Sequence, residues 1–243
     1  MSLPNVLADR YASNAMVSIW SAENKVLLER ELWIAVLQTQ RDLGSDIPEE
    51  VIAAYQRTKN DIDLKSIRER ETIVKHDVKA RIEEFCDLAG YEHIHKGMTS
   101  RDLTENIEQL QIQQSIEIIQ TQTVAALSQL AVLAEQYSET PITGRTHNVA
   151  AQVTTVGKRF ANTAEEMLLA FERLTHTLQT YPLRGIKGPV GTQQDLLELL
   201  GNPNQVKEFE QRIAKHLGFT ATLESVGQVY PRSIDFNVIS ALV

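Results

Sequence analysis

From about Ser100 to Tyr137 the chain carries neither proline nor glycine, and Ile112, Ile116, Ile119, Leu127, Leu130, Ala134 and Tyr137 recur on one helical face. After the segment SETPITGRTHN, Val153, Val156, Phe160, Thr163, Met167, Phe171, Leu174, Leu178 and Tyr181 follow at steps of three and four. This pattern predicts two helices of about 50 Å each at ~1.5 Å per residue, joined by a short loop into an antiparallel hairpin. An apolar stripe of that length needs a partner surface, so the natural completion is a bundle of four or more helices. Ile118, Ala125 and Val132 lie off the main stripe and predict burial on more than one side, by helices of the same chain or of other subunits.

The first part of the chain is punctuated more often. Ser21 is placed to cap a helix through AENKVLLERELWIAVLQTQRDLG, whose apolar face begins at Val26, Leu27, Leu32 and Trp33, and Pro48 opens a second helix. A third pattern, LKSIRERETIVKHDVKARIEEFCDLAG, places Val74, Val78, Ile82, Phe85 and Ala89 on one stripe and stops at Gly90. Beyond Tyr181 comes a Gly/Pro loop, PLRGIKGPVGTQQD, then a shorter helix near 204–217. The last stretch, YPRSIDFNVISALV, starts a helical pattern that no Gly, Asn or Pro closes. The expected fold is all-α. Residues 1–105 read as a small N-terminal helical domain and residues 106–243 as an incomplete, apparently truncated central helical-bundle domain.

Composition narrows the function classes. Hydrophobic residues make up 42% and charged residues 23%, with only 7 prolines and 11 glycines, which fits a folded helical protein. A net charge of −8 argues against a nucleic-acid binder or a membrane-surface module, so any anionic ligand must meet a local basic cluster. No uninterrupted apolar run approaches the ~20 residues that span a bilayer. Cys86 is the one cysteine, leaves no intrachain disulfide, and adjoins an apolar stripe as a small core residue. MSLPNVLADRY lacks a secretory pattern, so a cytoplasmic location is expected.

Four polar segments interrupt the helical scheme: KHDVKA (75–80), HKGMTSRDLTEN (95–106), GRTHNVAAQ (144–152) and RGIKGPVGT (184–192). His76 lies two residues from Val74, a rotation of ~200°, and so off the stripe, where it is either a solvated side chain or a group reaching a ligand. Thr99 and Asp102 fit a capping box; the same helix N-terminus could instead hold a substrate carboxylate or phosphate. His147 precedes the second long helix, as a loop residue beside a capping Thr146 or Asn148, or as an acid–base group on a rigid helix end. A helix N-terminus disfavours imidazolium, so a proton-donating His147 there requires a carboxylate neighbour. Lys187 sits among glycines that allow close approach to a ligand, although a plain interhelical loop reads the same way. His93 and His95, two apart, would point to different helix faces, which argues against a metal site.

In order along the chain, Arg-Tyr, Lys-His-Asp, His-x-Gly-x-Thr-Ser-x-Asp, Gly-Arg-Thr-His, Lys-Gly-x-Val-Gly-Thr and Gln-x-x-x-Arg resemble the adenylosuccinate lyases of the fumarase/aspartase superfamily. The resemblance implies β-elimination of fumarate from adenylosuccinate, giving AMP, and from the succinylated aminoimidazole carboxamide ribotide of purine biosynthesis. It implies no cofactor and no metal, and a homotetramer whose active sites draw on several subunits. His147 then stands as the likeliest general acid in the family's pattern, with His76 as the second catalytic candidate. Arg10 and Tyr11 resemble nucleotide contacts, and Lys75, His76 and Asp77 a segment reaching the substrate. Thr99 and Ser100 resemble the pair that holds a succinyl carboxylate, and His95 a phosphate contact. Thr146, Lys187, Gln228 and Arg232 match further ligand-contact positions. The family's flexible loop, Ser-Ser-x-Met-Pro-x-Lys-x-Asn-Pro, does not occur in these residues. The 243-residue chain by itself is therefore expected to be inactive. Two alternatives remain: another fumarate-releasing lyase of the superfamily, and a non-catalytic helical scaffold.

Overall fold

The computed structural model describes residues 5–243. It is all-α apart from one two-stranded hairpin, and it divides into two units: one up to Ile112 with Tyr181–Pro231, the other Gln113–Thr180 with Arg232–Val243.

The first unit opens with two short helices, α1 (Val6–Tyr11) and α2 (Asn14–Trp20), and is built around α3 (Ala22–Asp42). Ser21 caps α3 through its hydroxyl, which accepts from the Asn24 amide at 3.1 Å. From α3, Trp33 stacks on Phe85 with centroids 6.3 Å apart, and Tyr55 meets the same ring edge-on at 4.9 Å. Those partners come from α6 (Asp77–Ala89) and α4 (Glu49–Thr58). Arg30 is fully buried among them, donating to Glu84 at 2.5 Å and to the Thr58 and Lys59 carbonyls at 3.0 and 2.9 Å, so its charge closes the end of α4. Cys86 is buried beside the Tyr55 hydroxyl at 3.3 Å, and burial pushes its thiol up.

The third expected helix is two helices. α5 (Leu64–Val74) ends where Lys75 turns left-handed with φ 55°, and α6 begins after His76 in an extended conformation. The break replaces helical hydrogen bonds with caps: Lys75 N–H reaches Glu71 O at 2.9 Å, and His76 Nδ1 accepts from Lys79 N–H at 3.2 Å. His76 is thus a helix N-cap rather than a residue on the outer face of a continuous helix.

α7 (Ser100–Gln136) spans about 55 Å at 1.5 Å per residue. Its first turns bury a polar stripe at helical spacing, Asp102, Glu105, Asn106 and Gln109, all 0% exposed. This stripe binds the returning segment 182–188: Asn106 donates to Gly185 O and accepts from Gly185 N–H, while Gln109 does the same with Pro182 O and Arg184 N–H. The segment leads through a 3₁₀ turn at Pro189–Gly191 to α9 (Gln194–Leu200) and α10 (Pro203–His216), which packs on α3.

The second unit contains the remainder of α7, strands β1 (Pro141–Thr146) and β2 (Val149–Thr155), α8 (Val156–Thr180) and α11 (Ser233–Leu242), which packs on α8. The expected interhelical loop is an antiparallel hairpin, and α8 is correspondingly shorter than the expected 50 Å. Thr146 pairs with Val149, leaving His147 (φ 48°) and Asn148 (φ 62°) as the two central residues of the turn. Two consecutive left-handed residues match the right-handed twist of a two-residue hairpin, and asparagine tolerates that conformation well. A bulge sets the single residue Gly144 against Ala151 and Gln152. Where α8 starts, Gly157 lies so close to the end of α7 that a Cβ there would stand 2.3 Å from Ala134 O.

Among the described residues α7 is the one helix long and apolar enough to cross a bilayer, through an 18-residue stretch of mean hydropathy 1.2. A bundle helix meets the same criterion, and buried Asp102 and Glu105 in its first turns fit that reading. Val124, Val132, Leu169 and Phe236 are exposed in this unit.

Candidate functional site

His76 and Ser100 meet in the first unit, where the N-terminus of α6 approaches that of α7. Because His76 Nδ1 accepts the Lys79 amide, the neutral ring carries its proton on Nε2, which faces Ser100 Oγ at 3.3 Å. Ser100 is the first residue of α7, so its hydroxyl lies beside the free amides and positive end of a long helix. The pair forms a divide between two clefts. One, of about 540 Å³, is lined by His76, Lys79, Ile82, Cys86, His95 and Ser100 together with Glu83, Asp87 and Glu92. The other, of about 280 Å³, adds Lys25, Arg101, Thr104 and Glu108.

Asp77, the first residue of α6, is held below the ordinary carboxylate range. Burial alone would raise it, but the Arg81 guanidinium at 2.8 Å and the Val78 amide outweigh that. Arg81 also lies 2.8 Å from the buried Glu29 carboxylate, in a poorly aligned contact; no donor among the described residues hydrogen-bonds either Glu29 oxygen. Burial pushes Glu29 up to about 7. His95 accepts the Trp33 indole N–H on Nδ1 at 3.0 Å, and burial, helped by the charge of His76, pushes it down to about 4.

Thr99 precedes α7 as its cap. Its N–H donates to Asp102 Oδ2 at 2.8 Å, the backward half of the expected capping box, while its hydroxyl accepts from Gln228 at 3.0 Å instead of an α7 amide. Gln228 also accepts the Val190 N–H at 2.7 Å, tying the glycine loop to the start of α7. Asp102 is the hub beneath them. Besides Thr99 N–H it accepts the Lys187 and Gly188 amides at 2.8 and 3.0 Å and pairs with the buried Arg184, which also reaches Glu105 at 3.0 Å. The Lys187 ammonium is almost fully buried against Glu210 at 2.8 Å, so its charge is compensated within the protein.

The structure thus brings His76, His95 and Ser100 to one cleft, while Thr99, next to Ser100 in the chain, is bonded to Gln228. Lys75 is exposed at the left-handed break beside His76, and Arg10 and Tyr11 are exposed on α1, outside the cleft lining. Thr146, His147 and Arg232 belong to the second unit: the first two in the exposed hairpin, Arg232 at the start of α11 near Asp235 at 3.5 Å. His147 is therefore not at a helix start. α8 begins nine residues later, and the opposing helix dipole invoked for this histidine does not act on it. Neither are His93 and His95 on a helix: 91–96 is irregular. The pattern of apolar positions missed Arg184, Glu105, Asn106 and Gln109, whose signal is a second, polar stripe at spacings of three and four on α7. It also read Trp33 as core alone, without its hydrogen bond to His95.

Residues 8–235 match a family described as Lyase. Among curated proteins, the chain is 32% identical to the adenylosuccinate lyase of Saccharomyces cerevisiae, over 97% of this chain and 50% of that protein. It is 33% identical to that of Caenorhabditis briggsae, over 98% and 51%. The chain spans about half the length of the curated relatives it matches. Among solved structures it resembles a fumarate lyase from Mesorhizobium sp. BNC1, with TM-score 0.79 and 22% identity over 93% of this chain and 52% of that one. It also resembles a 3-carboxy-cis,cis-muconate lactonizing enzyme from Pseudomonas putida, with TM-score 0.82 and 16% identity over 98% and 54%. At these identities the structural likeness establishes the fold.

Proposed function

Since the chain belongs to the lyase family that its residues 8–235 match, we propose that it contributes to a fumarate-releasing β-elimination, with adenylosuccinate cleaved to AMP and fumarate. The succinylated aminoimidazole carboxamide ribotide is the second proposed substrate. The names of the curated relatives support this choice, and the observation that carries it is the His76–Ser100 contact at the N-terminus of α7. Elimination removes a proton from carbon beside a carboxylate, and the charge that develops on that carboxylate needs donors already in place. Ser100, Thr99 and the α7 amides supply them without a net positive side chain. His95 adds a neutral donor, and His76 presents its Nε2–H towards Ser100.

The leaving nitrogen must be protonated, which is general-acid work. In this proposal His147 does it, presented by the tight hairpin turn, with Thr146 beside it. Arg10, Tyr11, Lys75, Asp77, Gln228 and Arg232 contact the nucleotide or the succinyl group, and Lys187 acts by holding the glycine loop rather than by its neutralised charge. A homotetramer is proposed as the working assembly, in keeping with the exposed apolar residues of the second unit. The test is fumarate release by the whole protein, with adenylosuccinate and other succinylated substrates offered in parallel. Turnover lost in His147→Ala and His76→Ala supports the proposal. Unimpaired turnover in both would leave the polar motifs as caps and loops of a scaffold, and preference for another substrate would name another lyase. For the 243-residue chain alone, which lacks the Ser-Ser-x-Met-Pro run, no appreciable release is expected; a rate near that of the whole protein would overturn this.

A further inference from the structure

His95 lines the larger cleft beside His76 and Ser100, yet one of its two ring nitrogens is turned to the core. The Trp33 indole, 0% exposed, sets its N–H against His95 Nδ1 at 3.0 Å, with the two rings edge to face at 5.9 Å. An indole nitrogen only donates, so Nδ1 must offer a lone pair and a neutral ring must carry its proton on Nε2. The geometry is held from both sides. Trp33 is fixed by its stack on Phe85, and His95 is fixed by a left-handed backbone at φ 69° and by its carbonyl, which accepts the Met98 N–H at 3.3 Å. Nε2 has no hydrogen-bond partner among the described residues, in a side chain that lines the cleft.

We propose that Trp33 is a positioning residue: it locks His95 in the Nε2–H tautomer, so that the cleft offers a neutral N–H donor to a carboxylate or phosphate oxygen beside His76. The consequence for the site is that His95 stays a fixed donor, because protonating Nδ1 would set two N–H groups against each other. Burial acts in the same direction by disfavouring the His95 imidazolium. The role in ligand binding rests on reading this cleft as a substrate site; the tautomer does not.

The experiment is multiple-bond proton–nitrogen NMR on the histidine-labelled 243-residue chain, which distinguishes a protonated from an unprotonated ring nitrogen. The expected result is His95 with the proton on Nε2, unchanged from pH 8 to about 5.5. In Trp33→Phe, which keeps an aromatic ring and removes the N–H, a fraction of the Nδ1–H tautomer should appear. A wild-type His95 protonated on Nδ1, or charged at neutral pH, overturns the proposal. So does a folded Trp33→Phe chain that keeps the Nε2–H form unmixed. If that variant does not fold, the wild-type spectrum decides by itself. No substrate enters the measurement, so its failure is distinguishable from failure of the lyase reading, which the fumarate assay decides.

Discussion

Replacing Glu29 by glutamine tests whether a buried carboxylate behind the His76 cap sets how the first unit responds to pH. Burial, with the charges of Asp77 and Glu108, outweighs the attraction of Arg81 and Lys25 and moves this carboxyl from 4.5 to about 7. Its folded value is above its unfolded one, so its contribution to stability is fully present below 4.5 and is lost as pH rises to 7. At about 1.4 kcal/mol per tenfold change in acidity, that loss is about 3 kcal/mol. His95 has the opposite sign. Its folded value is depressed from 6.5 to about 4, so its contribution is full above 6.5 and lost as pH falls to 4. Between 4.5 and 6.5 the two oppose each other, and this pair leaves the wild-type curve nearly flat. Glu29→Gln removes one of them. Relative to wild type, the variant should gain about 3 kcal/mol between pH 4.5 and 7 and should lose stability visibly on acidification below 6.5. Any constant cost of the substitution cancels in that difference, and Arg81 keeps its 2.8 Å contact with Asp77. Urea unfolding followed by tryptophan fluorescence reads it directly, since Trp20 and Trp33 both lie in the first unit. Parallel pH curves for the two proteins would refute the reasoning.

Gly157→Ala should destabilise the second unit by about 2–3 kcal/mol, because the new methyl meets backbone atoms at 2.3 and 2.7 Å that cannot swing aside; thermal unfolding by circular dichroism checks it. Asp102→Ala should cost about 3–5 kcal/mol, since it strips the buried Arg184 of one partner and leaves three amides without an acceptor. Hydrogen exchange at Thr99, Lys187 and Gly188 should accelerate together. His76→Ala removes an N-cap and should cost about 1 kcal/mol, read from faster exchange at the Lys79 amide with α3 unaffected.

Much of the fold was legible because single residues announce element ends. Ser21, Pro48 and Gly90 mark boundaries that the structure places as read, and the stripe Val78, Phe85 is buried as its spacing requires. Periodicity failed where the chain keeps helical spacing across a break. Val74 and Val78 stand four apart on either side of Lys75 and His76, so the interruption leaves no gap in the pattern. It failed again at Val153, whose place in a step-three series hides its membership of β2, where it is 78% exposed. The resemblance names candidate ligand contacts as a set, but the residues that support them carry no such signal. Arg184, Glu105 and Gln109 look like solvated polar residues until the segment that satisfies them arrives from far along the chain.

That distance bears on the order of assembly. Asp102 meets Arg184 across 82 residues, and the Tyr230 amide reaches Glu105 across 125. Until the chain has been synthesised past Arg184, two carboxylates destined for complete burial must stay in water, and the first turns of α7 cannot settle. The first unit is therefore a late-closing structure. Its folding waits on the return of 181–231, with the slow kinetics that long-range contacts impose.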